Sequence, residues 1–261
     1  MKRSVIAVCL TLLAAGASAQ TMARKPPVPP GAPTRGFAVA FLSDGIDYTW
    51  PGIAAKLARD GEGEIIGWDV VDDDRRPFER DGAATRLIKV APALVAPYRL
   101  DTTSAASWHE ALRSLGRSPA RVAVVATPAR ALARVDGATA AMTAMRDVLF
   151  IVPAGDDRLE PDVDLRADNI LVVTALATIA AQPSRATMPV DLILAPQAAT
   201  REAPAGAQVP STSAEAAMLA AGLFTCIDLT AVKTPADVKR ALIAAAQQGP
   251  KGQPPMLSPC R

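Results

Sequence analysis

The stretch Ser211-Thr-Ser-Ala-Glu-Ala-Ala-Met-Leu-Ala-Ala-Gly222 decides how the rest of the chain is interpreted. Its small apolar residues predict a helix, and its first three residues carry hydroxyl groups. Ser or Thr directly before an apolar helix most often serves as the N-cap of that helix. We therefore predict a helix capped by Ser213, and the alternative role for this hydroxyl is that of a nucleophile.

Short apolar runs alternate with helical patterns along the chain that leads to this helix. Most of these runs are apolar on both faces, which is typical of strands buried in a parallel sheet. The strand candidates are residues 37–42, 65–71, 93–100, 120–126, 149–154, 170–175 and 191–195. The pattern predicts a doubly wound α/β domain with a mostly parallel sheet of six or seven strands and helices on both faces.

Three helices in this pattern have recognisable start signals. The signals are Thr49 before Pro51, Ser107 with Glu110 three residues on, and Thr234 before Pro235 with Asp237. Residues 198–210 and 248–259 are rich in proline and small residues and are predicted as loops. Gly45 and Gly155 follow strand candidates, where we expect them to provide backbone freedom.

Residues 1–19 have the three regions of a secretory signal peptide. Lys2-Arg3 is followed by an apolar run over residues 5–15 and by the small residues of 17–19. The run is too short for a permanent membrane anchor, and Cys9 lacks the preceding small residue of a lipoprotein signal. We expect export to the periplasm or beyond without membrane attachment. The alternative is a buried N-terminal helix.

The mature chain divides by composition into three parts. Residues 20–35 are proline-rich and are predicted as a linker or disordered arm, because prolines disrupt helices and sheet ladders. Residues 36–248 form the α/β domain, and 249–261 form a C-terminal tail. After signal cleavage Cys226 and Cys260 remain, and an oxidising compartment favours a disulfide between them. Two free thiols are the alternative.

Composition and charge limit the classes of function. About 240 mature residues, in a chain with 50% hydrophobic residues and a net charge of +2, suffice for one core. The basic residues are scattered, so nucleic acid is not an expected partner. One histidine and two distant cysteines make no metal cluster, and no cofactor is expected. Asp72-Asp73-Asp74 has the composition of a calcium loop, but the flanking arginines favour a solvated turn.

Several segments in sequence order resemble the subtilisin-like serine proteases. The segments are Val39 to Pro51, Ile65 to Phe78, Asp81 to Arg86, Val148 to Asp156, Met188 to Pro196, Ser211 to Gly222 and Thr234 to Leu242. They are similar, in turn, to the family's aspartate strand, its acidic turn, its histidine helix, its Ala-Gly-Asn strand, its Val-Asp-Val-Ala-Ala-Pro-Gly segment, its serine helix and its C-terminal helix. The resemblance implies a degenerate subtilase over nearly the whole mature chain.

The resemblance places the family's catalytic residues on positions of changed chemistry. The catalytic aspartate falls on Ser43, the catalytic histidine on Ala83, the second histidine of that motif on Arg86 and the oxyanion asparagine on Asp156. The nucleophile position alone keeps its type, as Ser213. A serine hydroxyl needs a neighbouring base to react at neutral pH, and alanine cannot be one. Ordinary serine-protease catalysis is therefore not expected.

The sequence offers three other sources of catalytic groups. Asp44 could serve through a one-residue slip, but such a slip reverses the face of a strand on which the side chain lies. His109 is expected on a surface helix. A sedolisin-type site would use an aspartate such as Asp156 in the oxyanion hole, but residues 83–92 contain no acid to act as base.

Two functions from different classes follow from these observations. The favoured interpretation is a secreted, inactive pseudoprotease that binds a peptide or protein. The alternative is a serine endopeptidase with Ser213 as nucleophile and a rebuilt base. The resemblance implies that a peptide could pair at the family's substrate cleft. The Ser-Leu-Gly-Gly segment that lines this cleft in the family is replaced by Ala126-Thr127-Pro128, and Pro128 lacks a donor.

Overall fold

A computed structural model of the chain describes residues 25–80, 82–156, 165–177, 190–194, 212–222, 234–245 and 256–257. Its strands are β1 (Ala38–Ser43), β2 (Trp68–Asp69), β3 (Leu94–Arg99), β4 (Val122–Val125), β5 (Leu149–Pro153), β6 (Ile170–Ala175), β7 (Leu192–Leu194) and β8 (Met256–Leu257). The first seven match the seven predicted runs. The two-residue β8 lies in a segment that the sequence predicted as loop, so that prediction is wrong for these two residues.

The strands form one parallel sheet in the order β2-β3-β1-β4-β5-β6-β7-β8. The predicted doubly wound parallel fold is thus confirmed. The order reverses at β1, which lies between β3 and β4. In open α/β sheets, such a switch point at the carboxyl ends of the strands is the usual place for a ligand.

Helices cover both faces of the sheet. They are α1 (Thr85–Val90), α2 (Ala105–Gly116), α3 (Ala129–Leu132), α4 (Ala138–Ala144), α5 (Ser213–Ala220) and α6 (Pro235–Ala245), and a 3-10 turn lies at Ala54–Lys56. Alternate residues of β1, β4 and β5 face two separate cores. Val39 and Phe41 of β1 contact the core that includes α1 and α5, whereas Ala40 and Leu42 contact the core that includes α2, α3 and α4.

One of the three predicted helix starts is confirmed. Thr234 and Asp237 exchange hydrogen bonds with each other's backbone N–H, which is a capping box at the start of α6. Helix α2 begins earlier than predicted, because Ser104 rather than Ser107 accepts the capping N–H. Thr49 starts no α-helix, since its N–H and hydroxyl both bind the carboxylate of Asp47 in a turn.

Residues 25–35 lie along the surface of the domain without helix or strand. Their contacts are specific: the ammonium of Lys25 binds Asp69, Tyr48 donates to the carbonyl of Pro26, and Arg59 donates to the carbonyl of Pro29. The segment that was predicted as a linker or arm is therefore anchored to the domain over these residues.

No helix in the described ranges is long and apolar enough to cross a membrane.

Candidate functional site

The resemblance places the family's catalytic triad on three positions at the carboxyl edge of the sheet, namely Ser43, Ala83 and Ser213. Ser43 is the last residue of β1, and Ser213 is the first residue of α5. Ala83 lies two residues before α1, whose Thr85 hydroxyl accepts the N–H of Asp47 just beyond β1. The hydroxyl of Ser213 contacts Gly155, which follows β5. Both helices thus begin where the strands end.

The hydroxyl of Ser213 is fully buried and has two partners. It donates to the carbonyl oxygen of Gly155 at 3.0 Å and lies 2.9 Å from the hydroxyl of Thr174 on β6. A serine hydroxyl has a single proton, so Thr174 is the donor in the second contact. The proton of Ser213 is therefore held by a carbonyl oxygen, which cannot act as a general base.

The backbone N–H of Ser213 is also occupied. It donates to Oδ1 of Asp156 at 2.9 Å. A backbone N–H at the start of a helix is the kind of donor that stabilises a developing oxyanion. Here a carboxylate takes that donor and brings negative charge to the place where negative charge would develop. The negative charge of Asp156 is favourable at the positive N-terminal end of α5, and it would oppose an acyl-transfer reaction.

The N-cap of α5 is Thr212, not Ser213 as predicted. The hydroxyl of Thr212 accepts the N–H of Glu215 at 3.1 Å, and its backbone is extended. Ser213 is the next residue, already helical, and its side chain faces the sheet. The helix begins one residue earlier than a cap at Ser213 implies, because adjacent hydroxylic residues can each serve as the cap.

The histidine position offers no proton acceptor. Ala83 is exposed, and the side chain of Arg86 is exposed on the first turn of α1. The polar residue that faces the sheet from this helix is Thr85, which is fully buried and fixes α1 to the turn after β1. The Thr85 hydroxyl, which holds the backbone of Asp47, is therefore two residues from position 83, where the resemblance places the family's base.

The aspartate position serves the turn that follows β1. The hydroxyl of Ser43 accepts the N–H of Gly45 at 3.2 Å, and Gly45 has a φ of 116°. Asp44 is exposed, and partial desolvation, together with the charge of Glu79, raises the pKa of its carboxyl. The contacts of the Ser213 hydroxyl described above do not include Asp44. Gly155, with a φ of 97°, provides the corresponding turn after β5, as the sequence predicted.

His109 lies on the opposite side of the sheet from Ser213. It is exposed on α2, whose buried residues Trp108 and Ala111 belong to the core on the α2 face. The buried residues of α5 belong to the core on the other face. His109 is thus a surface helix residue, as predicted, and the sheet separates it from Ser213.

The chain forms a helix where the resemblance places the lining of the family's substrate cleft. Pro128 is the N-cap of α3, so the chain turns into a helix three residues after β4 ends. A Cβ built on Gly155 would lie 3.3 Å from Cβ of Pro128, which brings the proline against the turn after β5. An extended peptide has no free strand to pair with at this point, because residues 129–132 are helical.

An ammonium group occupies the centre of the acidic turn over residues 69–74. Nζ of Lys25 lies 2.6 Å from Asp69, 2.9 Å from Asp72 and 3.1 Å from Asp74. Burial by itself lowers the pKa of Lys25, but its hydrogen bonds to the three carboxylates outweigh this and raise the pKa. The turn is thus an ion-paired anchor for the N-terminal segment rather than the merely solvated turn that its flanking arginines favoured.

Arg99 completes this network on the other side of Asp69. It binds Asp69 and Asp72 through Nη1 and Glu79 through Nη2. Asp69 is fully buried and is therefore paired with two cations, as a buried charge requires. Within the described ranges no group of three or more His, Cys, Asp or Glu side chains has the arrangement of a metal site.

Cys226 and Cys260 lie outside the described residues, and so do Asp81 and the segments 178–189 and 195–211. The predicted disulfide therefore stays a prediction.

Sequence reasoning missed Thr174, Thr85 and Lys25. A lone hydroxyl in the apolar run of β6 was the available signal for Thr174. Lys25 had no local signal, because its partners are more than 40 residues away.

No family model and no curated protein matches the chain. A solved structure does: a cold adapted subtilisin-like serine proteinase, with a TM-score of 0.53 and 14% sequence identity over 87% of this chain and 89% of that chain. The fold is thus the α/β fold of the subtilisin-like proteinases. At this level of identity the likeness concerns the fold.

Proposed function

We propose that this chain is a non-catalytic subtilisin-like domain that is exported and acts by binding a peptide or a protein. The observation that carries the proposal is the state of Ser213. Its hydroxyl is buried between Thr174 and Gly155, and its N–H is bound to Asp156. Both groups that a serine nucleophile needs, a free hydroxyl and an oxyanion donor, are engaged in structural bonds.

The magnitude of the loss supports an inactive site. In subtilisin, loss of the catalytic serine or histidine alone lowers turnover by about a millionfold. Loss of one oxyanion donor costs roughly 2.7 to 4 kcal/mol in the same enzyme. Here the histidine position is Ala83, and a carboxylate replaces the oxyanion amide. These losses together exceed what positioning of a substrate could offset.

The alternative, a serine endopeptidase with a rebuilt base, requires a base within hydrogen-bond reach of Ser213. The described partners of its hydroxyl are an alcohol and a carbonyl, and neither can accept a proton at neutral pH. Activation would therefore require the hydroxyl to leave both partners and a base to come within its reach.

The test is turnover measured on a broad peptide library with the purified chain and its Ser213→Ala variant. The proposal expects equal cleavage of every peptide by the two proteins, at the level of the buffer control. Cleavage that disappears in Ser213→Ala would refute the proposal and support the endopeptidase.

A further inference from the structure

In the N-terminal segment, the burial of residues 25–30 against the domain repeats every three residues. Lys25 and Pro26 are half-buried, Pro27 is exposed, Val28 and Pro29 are half-buried, and Pro30 is exposed. A polyproline II helix has three residues per turn, so one side of it faces the partner at this spacing. With five prolines among residues 25–35, the segment has both the composition and the burial pattern of a polyproline II ligand.

The domain supplies the donors that such a ligand needs. Prolines have no N–H, so a proline-rich segment offers mainly carbonyl acceptors. Tyr48 donates to the carbonyl of Pro26 at 2.8 Å, and Arg59 donates to the carbonyl of Pro29 at 2.6 Å. The two acceptors are three residues apart, which is the spacing of one turn of a polyproline II helix. Val28 packs against the core between them.

A charge and a steric requirement give the contact specificity. The ammonium of Lys25 lies among the carboxylates of Asp69, Asp72 and Asp74. At the other end, a Cβ at residue 31 would lie 2.2 Å from Nε of Arg59, so any residue other than glycine would displace this side chain from its hydrogen bonds. The surface therefore selects a lysine at one end of the segment and a glycine six residues later.

The domain side chains that form hydrogen bonds and ion pairs with the segment are polar or charged, so water could solvate them if the segment left. Arg59 is 3% exposed, and its guanidinium binds carbonyls of Gly63 and Pro29. The segment contributes no strand to the sheet and no helix to either core. Its departure would leave a charged, hydrogen-bonding groove on an intact sheet, which we define by Tyr48, Arg59, Asp69, Asp72 and Asp74 and name the proline groove.

We propose that the proline groove recognises a lysine-bearing proline-rich segment of a protein partner, and that residues 25–34 occupy it in cis as a built-in competitor. The proposal deepens the binding role proposed above and gives it a surface away from the position of the family's substrate cleft. With a covalently attached competitor, the apparent affinity for a partner is the intrinsic affinity multiplied by the fraction of time that the groove is free. Variants that weaken the cis segment should therefore raise the affinity for a partner in trans.

The experiment uses a fluorescein-labelled peptide of residues 23–36 and fluorescence anisotropy with the purified chain. Two variants release the cis segment in different ways: Lys25→Glu reverses its charged anchor, and Gly31→Ala introduces the clash with Arg59. We expect both variants to bind the peptide at least about tenfold more tightly than the unchanged chain. Adding Tyr48→Phe, which removes one hydroxyl and keeps the ring, should weaken that binding.

Matched peptides control for charge and composition. A peptide with Lys25→Glu should not bind, whereas a peptide with Arg35→Ala, which removes an exposed cation of the same segment, should bind like the original. Failure of the peptide to bind either variant, or equal binding of the Lys25→Glu peptide, overturns the proposal. So does a dimer of the unchanged chain that Gly31→Ala dissociates, because the occupant in trans would then be a second copy. None of these outcomes depends on Ser213 turnover, so the two proposals fail separately.

Discussion

The backbone N–H of Ser213 and the carboxylate of Asp156 are joined by a hydrogen bond of 2.9 Å. The bond links the turn after β5 to the first residue of α5. Asp156 thereby stabilises the helix and removes a donor from any reaction. The same contact gives a structural role to the aspartate at the position that the resemblance equates with the family's asparagine.

Removal of this carboxylate should weaken the fold. We expect Asp156→Ala to lower the free energy of unfolding by about 1 kcal/mol, the usual loss for an acceptor at a helix N-terminus. Asp156→Asn should lose less, because the amide oxygen still accepts the N–H. Denaturant unfolding measures both, with the exposed Asp147→Ala as the control. Equal stability of Asp156→Ala and the unchanged chain would show that the contact contributes nothing to folding.

The hydroxyls of Ser213 and Thr174 should be coupled energetically. Ser213→Ala leaves the buried hydroxyl of Thr174 without its partner, which costs about 1 to 3 kcal/mol of stability. Adding Thr174→Val removes the orphaned group. The loss in the double variant should therefore be smaller than the sum of the single losses, with a coupling on the order of 1 kcal/mol. Strictly additive losses in urea unfolding would contradict the structural role of Ser213.

The anchor of the N-terminal segment should depend on pH at both extremes. Hydrogen bonding to Lys25 lowers the pKa of Asp72 below its ordinary 3.8, so this stabilisation is present above that pH and is lost as the pH falls through the folded-state pKa. The pKa of Lys25 is raised above 10.5, despite the opposing effect of burial, by its carboxylate partners. Its contribution is therefore present below that pH and is lost as the pH rises through the folded-state value.

The measurement for this anchor is the difference in unfolding free energy between the unchanged chain and Lys25→Met. It should be constant between about pH 5 and pH 9 and shrink outside this range. Arg35→Ala, which removes an exposed cation from the same segment, should give a small difference without this pH profile. A Lys25→Met difference near zero at neutral pH would mean that the segment is not held by its ammonium group.

A disulfide between Cys226 and Cys260 remains a prediction from export and from the loss of Cys9 with the signal peptide. It would close a loop of about 35 residues and contribute roughly 3 to 4 kcal/mol in the chain-entropy model. Mass spectrometry of the unreduced, exported chain should find a peptide pair linked through these cysteines. Two free thiols in that material would refute the bridge.

Strand positions could be predicted from the sequence because strands covered on both faces are apolar throughout, which leaves a continuous signal such as residues 149–154. Helix caps were harder to predict. Thr212 and Ser213 are adjacent hydroxylic residues, and Ser104 and Ser107 lie three residues apart, within one helical turn. The residue that caps each helix therefore depends on where packing makes the helix begin. These errors amount to one and three residues.

The contacts that define the site could not be predicted in the same way. The partner of Ser213 is Thr174, 39 residues earlier, and the partners of Lys25 lie 44 and 49 residues later. Nothing in local periodicity connects such residues. The proline content of 20–35 predicted the lack of helix and strand correctly for residues 25–35, but composition alone does not reveal a matching set of donors on the domain.

The central claim is that Ser213 is a structural residue, and labelling with a serine-directed fluorophosphonate probe tests it most directly. The probe is applied to the purified chain, to Ser213→Ala, and to an active subtilisin as positive control, and adducts are located by peptide mass spectrometry. We predict no adduct on Ser213 and identical background labelling of the two chains, while the subtilisin is labelled fully. An adduct on Ser213 that is absent from Ser213→Ala would contradict the account and establish a reactive nucleophile.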